Sequence, residues 1–136
     1  MTEAGDHDRT VVVDVMNMVG SRPDGWWKDR DGAVRRLVNE LVDLDGRLGP
    51  IVAVIDGTEK VDPATGDTGG MVKVLYAGRR GPDSADDRIV ELLEDSLHPD
   101  RYRVITSDRA LAARCRAEGA DVMGVSWLLR HLRRQS

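Results

Sequence analysis

The sequence has 136 residues, of which 40% are hydrophobic and 32% charged, and its formal net charge is −4 at pH 7. A chain of this length is the usual size of a single domain with one hydrophobic core. The negative charge argues against a protein that coats nucleic acid nonspecifically, because that affinity comes mainly from Lys and Arg side chains that neutralise phosphates.

The N-terminal segment resembles neither a targeting signal nor a membrane span. Its first residues, MTEAGDHDRT, are polar and acidic, whereas a signal peptide has a positive start followed by an apolar run. No apolar stretch of the sequence approaches the ~20 residues that cross a bilayer as a helix. We therefore expect a soluble, cytoplasmic protein with a disordered tail at residues 1–9 and one folded domain at residues 10–136.

Apolar, strand-like segments alternate with helical patterns along the chain. In the first half of the chain, the sequence predicts a strand at 11–15, an amphipathic helix at 33–48, a strand at 51–55, a loop to residue 70 and a strand at 71–76. After a Gly/Pro break, it predicts a helix from Ser84 to 96, a strand at 102–106 and a helix from 108 that stops at Gly119. A short strand at 121–125 and a last helix capped by Ser126 follow. This alternation indicates an α/β domain whose mostly parallel sheet is covered by helices on both faces.

Four aspartates fall where a predicted strand ends or a predicted helix begins: Asp14, Asp56, Asp86 and Asp108. In an open α/β sheet the carboxyl ends of the parallel strands form one crevice, where loop residues converge on a common ligand. Clustered carboxylates repel one another, and a divalent cation offsets that repulsion. Oxygen-only ligands suit Mg²⁺ or Mn²⁺, so the sequence predicts a metal site at this edge of the sheet.

The first two of these acids differ in how well a structural role explains them. Asp14 lies inside an apolar strand, where an unpaired carboxylate is costly to bury, so it needs a cation or several hydrogen-bond donors. Asn17 either fixes Asp14 or a substrate phosphate, or serves the turn that leaves the strand. Asp56 precedes Gly57 and is either a turn residue or a ligand or base.

The other two acids lie at predicted helix starts, where the helix dipole stabilises any negative charge. Ser84 is the predicted N-cap of its helix, and Asp87 occupies the capping-box position three residues later. That spacing leaves Asp86 as the acid that faces the crevice. Asp108 follows Ser107, and either residue can cap the helix that begins there.

Several aromatic and basic residues are candidates for substrate binding. Trp26, Trp27 and Lys28 lie in the loop after the first strand, and aromatic faces beside a cation suit stacking of unpaired bases. A tryptophan in a loop also often packs over a core. Three arginines flank the Asp86 helix start and are candidates for phosphate contacts: Arg79, Arg80 and Arg88.

These motifs, in this order, resemble the NYN domain of the PIN-like nuclease superfamily, and in particular its YacP-like branch. The resemblance runs from about residue 11 to 132 and is carried by three segments, DVMNMVG at 14–20, SADDRIVELL at 84–93 and TSDRALAARC at 106–115. The stretch at 20–32 and the loop at 57–70 match no fixed pattern, so the resemblance does not imply a particular RNA target.

The resemblance implies a single three-layer, Rossmann-like (PIN-like) domain with a five-stranded sheet of order 3-2-1-4-5. It also implies an endonuclease that cleaves single-stranded RNA, free or on the ribosome, with Mg²⁺ or Mn²⁺. From the sequence itself we expect neither a nucleotide cofactor nor a membrane partner. The ion would activate the attacking water and neutralise the scissile phosphate. By motif match, the acidic positions of the family fall on Asp14, Asp86 and Asp108, with three residues in support: Asn17, Asp56 and Ser107.

The same residues bear on other functional classes. The segment IDGT at 55–58 is similar to the nucleophile loop of haloacid-dehalogenase-like phosphatases, but Val54 stands where the attacking aspartate belongs. Neither a dinucleotide-binding glycine motif nor a Walker A motif is present. Two alternatives stay open, namely a catalytically silent RNA- or ribosome-binding module and a Mg²⁺-binding, receiver-like regulatory domain.

Overall fold

A computed structural model describes residues 9–22, 25–44, 46–57, 71–78 and 84–133 of the chain. Within these ranges the elements, in chain order, are β1 (Thr10–Asp14), α1 (Val15–Gly20), α2 (Arg30–Asp43), β2 (Ile51–Ile55), β3 (Val72–Tyr76), α3 (Ser84–Glu94), β4 (Tyr102–Ile105), α4 (Arg109–Ala117), β5 (Asp121–Met123) and α5 (Val125–Arg133), with short 3₁₀ helices at Trp26–Lys28 and Pro99–Arg101. No helix in these ranges is long and apolar enough to cross a membrane. The tail predicted at residues 1–9 lies outside the described part, apart from its last residue.

The five strands form one parallel sheet in the order β3-β2-β1-β4-β5. The chain runs from β1 outward to β2 and β3, and then crosses to β4 on the other side of β1. Strand order therefore reverses between β1 and β4, and ligands of open α/β sheets bind at such a switch point. The predicted α/β class and the strand order implied by the resemblance are both confirmed.

Helices cover both faces of the sheet, so the domain has three layers. Side chains alternate along a strand, and Val11 and Val13 of β1 accordingly join a core cluster with Leu37 of α2 and Leu128 of α5. Val12 points the other way, into a second cluster formed with α3 and α4. The central strand is therefore buried on both sides, and a polar residue at its end reaches solvent only through the crevice.

The first helix was not predicted from the sequence, and the second departs from its predicted bounds. The strand predicted to reach residue 15 ends at Asp14, and α1 follows at once as a helix of six residues, too short for a helical repeat to appear in the sequence. Helix α2 begins at Arg30, three residues before the predicted start, because the Asp29 side chain caps it by accepting a hydrogen bond from the Gly32 N–H at 3.0 Å. It ends at Asp43 because Gly46 adopts a positive φ of 78° in the turn that follows.

Two predicted serine caps are wrong for the same reason. Helix α3 begins at Ser84, whose buried Oγ has no hydrogen-bond partner among the described residues, and the Ala85 N–H instead donates to Asp56 at 3.2 Å. Helix α5 begins at Val125 rather than after Ser126, and the Val125 N–H donates to Ser107 Oγ at 3.1 Å. Both helix starts are thus capped by a side chain from a different strand end.

This difference predicts opposite effects for two serine substitutions. Ser84→Ala is expected to leave the free energy of unfolding unchanged or to raise it, because a buried hydroxyl without a partner costs about 1 to 3 kcal/mol. Ser107→Ala is expected to lower it by about 0.5 to 2 kcal/mol, the range of a lost N-terminal cap. Urea unfolding of the two variants measures the contrast, and a loss of stability for Ser84→Ala would restore the original cap assignment.

Candidate active site at the carboxyl edge of the sheet

Asp14 is a buried carboxylate at the carboxyl end of the central strand. It is 5% exposed, and its Oδ2 accepts a hydrogen bond from Thr106 Oγ1 at 3.0 Å. Burial raises the pKa of Asp14 from 3.8 to about 6, and the charges of Asp56 and Asp108 add to this rise. The Thr106 hydroxyl and the Asn17 backbone N–H act in the opposite direction. Three of the four predicted acids therefore interact electrostatically at this edge.

The loop after β4 joins Asp14 to Asp108 through one threonine. Thr106 is 2% exposed, donates to Asp14 and accepts a hydrogen bond from the Asp108 N–H at 3.1 Å. Asp108 in turn caps α4, because its Oδ1 accepts from the Leu111 N–H at 3.0 Å. The other carboxylate oxygen of Asp108 is not used by this cap. Asp108 thus combines a structural role with a place beside the buried acid.

Asn17 ties α1 to the same loop. Its Oδ1 accepts from the Ser107 N–H at 2.8 Å and lies 3.4 Å from Thr106 Oγ1. Because a backbone N–H can only donate, this contact identifies the side-chain oxygen and leaves the amide NH₂ group as a donor. Asn17 therefore lies beside the loop that also contacts Asp14, and the Ser107 hydroxyl accepts from the Val125 N–H at the start of α5.

Asp56 positions its neighbours. Its Oδ1 accepts from the Ala85 N–H, so it holds the first turn of α3, the helix that carries Asp86. Its Oδ2 lies 3.7 Å from Arg30 Nη2 at the start of α2. Neither contact was predicted from the sequence, and through them Asp56 contacts the first turns of both α3 and α2.

The two adjacent acids of α3 have different surroundings. Asp87 Oδ1 lies 3.1 Å from Arg114 Nη1 on α4, so Asp87 links two helices rather than completing the predicted capping box. Asp86 is half-buried, and its charge raises the pKa of the Cys115 thiol, as does the charge of Asp14. The largest cause of that rise, to about 11, is burial of the thiol. Asp86 and Asp14 therefore lie near the same buried side chain.

The carboxylates of the crevice are the candidate ligands of a divalent cation. Within the described ranges, no three His, Cys, Asp or Glu side chains are grouped so as to hold a metal ion. The predicted ligands Asp14, Asp86 and Asp108 are thus not a ready-made three-acid cluster. Mg²⁺, however, usually binds one or two carboxylates and completes its shell with water and substrate phosphate. An all-oxygen site around a buried carboxylate that other acids repel fits that pattern.

The predicted aromatic pair has one packed and one exposed member. Trp26 packs against the core cluster beneath the loop. Trp27 is 64% exposed and meets Trp26 edge to face, with ring centroids 6.2 Å apart. Lys28, which ends the short 3₁₀ helix, is also exposed. Only Trp27 of the pair offers a large free face for stacking.

Of the three predicted phosphate-binding arginines, Arg88 is the one within the described residues. Arg88 lies 3.9 Å from Glu91, one turn further along α3. Arg79 and Arg80 fall outside the described residues. Arg30, which was not predicted from the sequence, contacts Asp56, one of the crevice acids. Its position could not be predicted, because α2 begins at Arg30 rather than at residue 33.

The fold of the chain, but not its sequence, is similar to that of a known protein. No family model matches the sequence, and no curated protein matches it. The structure is similar to the crystal structure of a variant of Rae1 (YacP) from Bacillus subtilis, with a TM-score of 0.72 and 20% sequence identity, over 93% of this chain and 76% of that one. At this identity the likeness establishes the fold alone, and the chain accordingly has the fold of Rae1 (YacP).

Proposed function

We propose that this protein is a metal-dependent endoribonuclease that cleaves phosphodiester bonds of single-stranded RNA, free or on the ribosome. The observation that carries the proposal is Asp14, a carboxylate buried at the switch point of the sheet whose pKa is raised by burial and by two neighbouring acids. Such perturbed groups in a crevice are candidates for a functional site. The YacP-like fold supports the same activity class.

Asp14 and Asp108 are the proposed metal ligands, and Asp86 is the proposed third acid. Asp108 acts electrostatically on Asp14, and Asp86 shares the neighbourhood of Cys115 with Asp14. The oxygen-only surroundings select Mg²⁺ or Mn²⁺ over zinc, which favours thiolate and imidazole ligands. A bound ion would lower the pKa of a coordinated water and offset the charge of the scissile phosphate.

The neighbouring residues prepare the acids for that role. Thr106 orients Asp14 through one hydrogen bond and the Asp108 backbone through another. Asn17 also carries an amide NH₂ group, a donor that suits a phosphate oxygen of the substrate. Asp56 holds the first turn of α3, so that Asp86 is presented from a fixed helix start.

The proposal is tested with a labelled single-stranded RNA in Mn²⁺ or Mg²⁺. Cleavage is expected with either ion, is expected to stop on addition of EDTA, and should be lost in Asp108→Asn. Asp95→Asn is the matched control, because Asp95 is exposed in the turn after α3 and loses the same charge. Binding without cleavage would instead support the silent RNA-binding module, and labelling of an aspartate by acetyl phosphate would support the receiver-like domain.

The adjacent acids of α3 should separate activity from stability. Asp86→Ala is expected to abolish or greatly reduce cleavage, because it removes a proposed ligand. Asp87→Ala is expected to cost less than about 1 kcal/mol of stability, the usual limit for an exposed ion pair, and to keep most of the activity. Cleavage rates and urea unfolding of both variants decide the assignment. Interchanged phenotypes would mean that Asp87 is the acid that serves the site.

A further inference from the structure

Arg30 places a positive charge beside the acids of the crevice. It is the first residue of α2, its side chain is 54% exposed, and its Nη2 lies 3.7 Å from Asp56 Oδ2. The charge of Asp56 raises the pKa of Asp14, so Arg30 contacts an acid that itself acts on the buried carboxylate. A contact of 3.7 Å is longer than a hydrogen bond, and a guanidinium has five N–H donors. Among the described residues, this long contact with Asp56 leaves most of the N–H donors of Arg30 unused.

Trp27 lies three residues before Arg30 on a well-anchored segment. Trp26 fixes the segment to the core, and the Asp29 side chain caps α2 directly before Arg30. The Asp29 N–H also donates to the Trp26 carbonyl at 3.2 Å, which closes the short 3₁₀ helix. The backbone between Trp27 and Arg30 is therefore held in place, whereas both side chains extend into solvent.

We propose that Trp27 and Arg30 form a substrate-binding arm, in which Arg30 binds a backbone phosphate next to the scissile one and Trp27 stacks on a base of the same strand. This assignment rests on the proposed function, because the crevice acids define where the scissile phosphate lies. It names a specificity device for unpaired RNA. In a duplex, the base faces are already covered and are not offered to an aromatic ring.

The Arg30–Asp56 pair suits a transferable contact better than a structural one. An exposed ion pair of this kind contributes little to stability. Asp56 keeps its orientation without Arg30, because its other oxygen accepts from the Ala85 N–H. A guanidinium also matches a phosphate through two parallel N–H donors. Asp56 thus holds Arg30 close to the site until a phosphate takes over the contact.

The acidic crevice explains why such a cation is needed. Asp56 and Asp108 both lie close enough to act on Asp14, and the charges of these acids repel an approaching polyanion. A bound metal ion would offset this repulsion only at the scissile phosphate. The next phosphate along the strand meets Arg30 instead. The arm therefore extends the favourable field by one nucleotide.

Binding of a fluorescein-labelled oligouridylate, measured by anisotropy in Mg²⁺, tests the arm. All variants are made in an Asp14→Asn background, which is expected not to cleave. Arg30→Gln should weaken binding and reduce the slope of log K against log salt by about 0.7, the value of one phosphate contact on a single strand. Trp27→Ala should weaken binding roughly 5- to 150-fold, the effect of one stacked base, with an unchanged slope.

Controls separate these two signatures from general effects. Arg36→Gln removes the same charge from an exposed position on the same helix and should leave both affinity and slope unchanged. Trp27→Tyr should retain most of the binding, and Trp27→Ala should have no effect on binding to the corresponding duplex. Thermal melting checks that each variant is folded.

Results with either substitution could overturn the arm. One is an Arg30→Gln variant whose salt slope equals that of Arg36→Gln, and the other is a Trp27→Ala variant that binds single strands normally. A parent that binds no RNA at low salt overturns it as well. Cleavage by the wild-type chain is measured separately, so RNA binding with both signatures but without cleavage would reject the nuclease and keep the arm.

Discussion

Asp14→Asn is expected to abolish RNA cleavage and, in metal-free buffer at pH 8, to raise the free energy of unfolding. The pKa of Asp14 is raised from 3.8 to about 6, so the folded state binds this proton more tightly than the unfolded chain. The stability from that proton is fully present below pH 3.8 and is lost as the pH rises through about 6. Asparagine has no charge to bury and can still accept the Thr106 hydrogen bond.

The expected gain follows from the size of the pKa shift. One pKa unit corresponds to about 1.4 kcal/mol, so the variant should be about 2 to 3 kcal/mol more stable than wild type at pH 8. The difference should vanish towards pH 4, where the wild-type carboxyl is protonated when folded. Urea unfolding in EDTA at the two pH values measures this, with Asp95→Asn as the control.

Added Mn²⁺ gives the complementary readout. It should stabilise the wild-type protein and have much less effect on Asp14→Asn, because a ligand that binds only the folded state raises its stability. A stability difference that is the same at both pH values would show that the Asp14 charge is not the cause. Unchanged cleavage in the variant would remove Asp14 from the mechanism.

Thr106→Val is expected to reduce both cleavage and stability at pH 8. The substitution keeps the shape of a buried side chain but removes the donor to Asp14 and the acceptor for the Asp108 N–H. A hydrogen bond to a charged group contributes about 1.5 to 3 kcal/mol to stability. In the variant, Asp14 would lose its donor and the Asp108 N–H would lose its acceptor. The pKa of Asp14 should also rise further, because the Thr106 hydroxyl holds it down.

The pH profile distinguishes this role from simple loss of packing. In Thr106→Val, the acidic limb of the cleavage profile should move to higher pH, since Asp14 ionises later. Thr106→Ser keeps the hydroxyl and should restore the wild-type limb even if the lost methyl group lowers stability. An acidic limb at the same pH in the valine and serine variants would limit Thr106 to packing.

The main features of the fold could be predicted from local pattern. Apolar strands alternating with helices are sufficient to indicate a parallel sheet with two covered faces, and β2 was placed to the residue. The strand order was implied by the resemblance, because periodicity alone carries no information on which strands are neighbours. Asp14 was identifiable because a carboxylate in an apolar strand needs an explanation.

The rest depended on contacts between distant parts of the chain. Thr106 was missed as a site residue because its partner Asp14 lies 92 positions earlier in the sequence. The caps predicted at Ser84 and Ser126 failed because helix starts were interpreted from adjacent residues only. The Ala85 and Val125 N–H groups donate to side chains that follow other strands, and no local motif encodes such a contact.

The capping of α3 by Asp56 and of α5 by Ser107 has a consequence for local motion. Each helix start is fastened to a strand end at the crevice, so its first turn cannot fray without breaking a contact of the site. The crevice and these two turns should then open together as one cooperative unit. In hydrogen exchange, the amides of Ala85 and Val125 should open with similar free energies, and occupancy of the crevice should slow both.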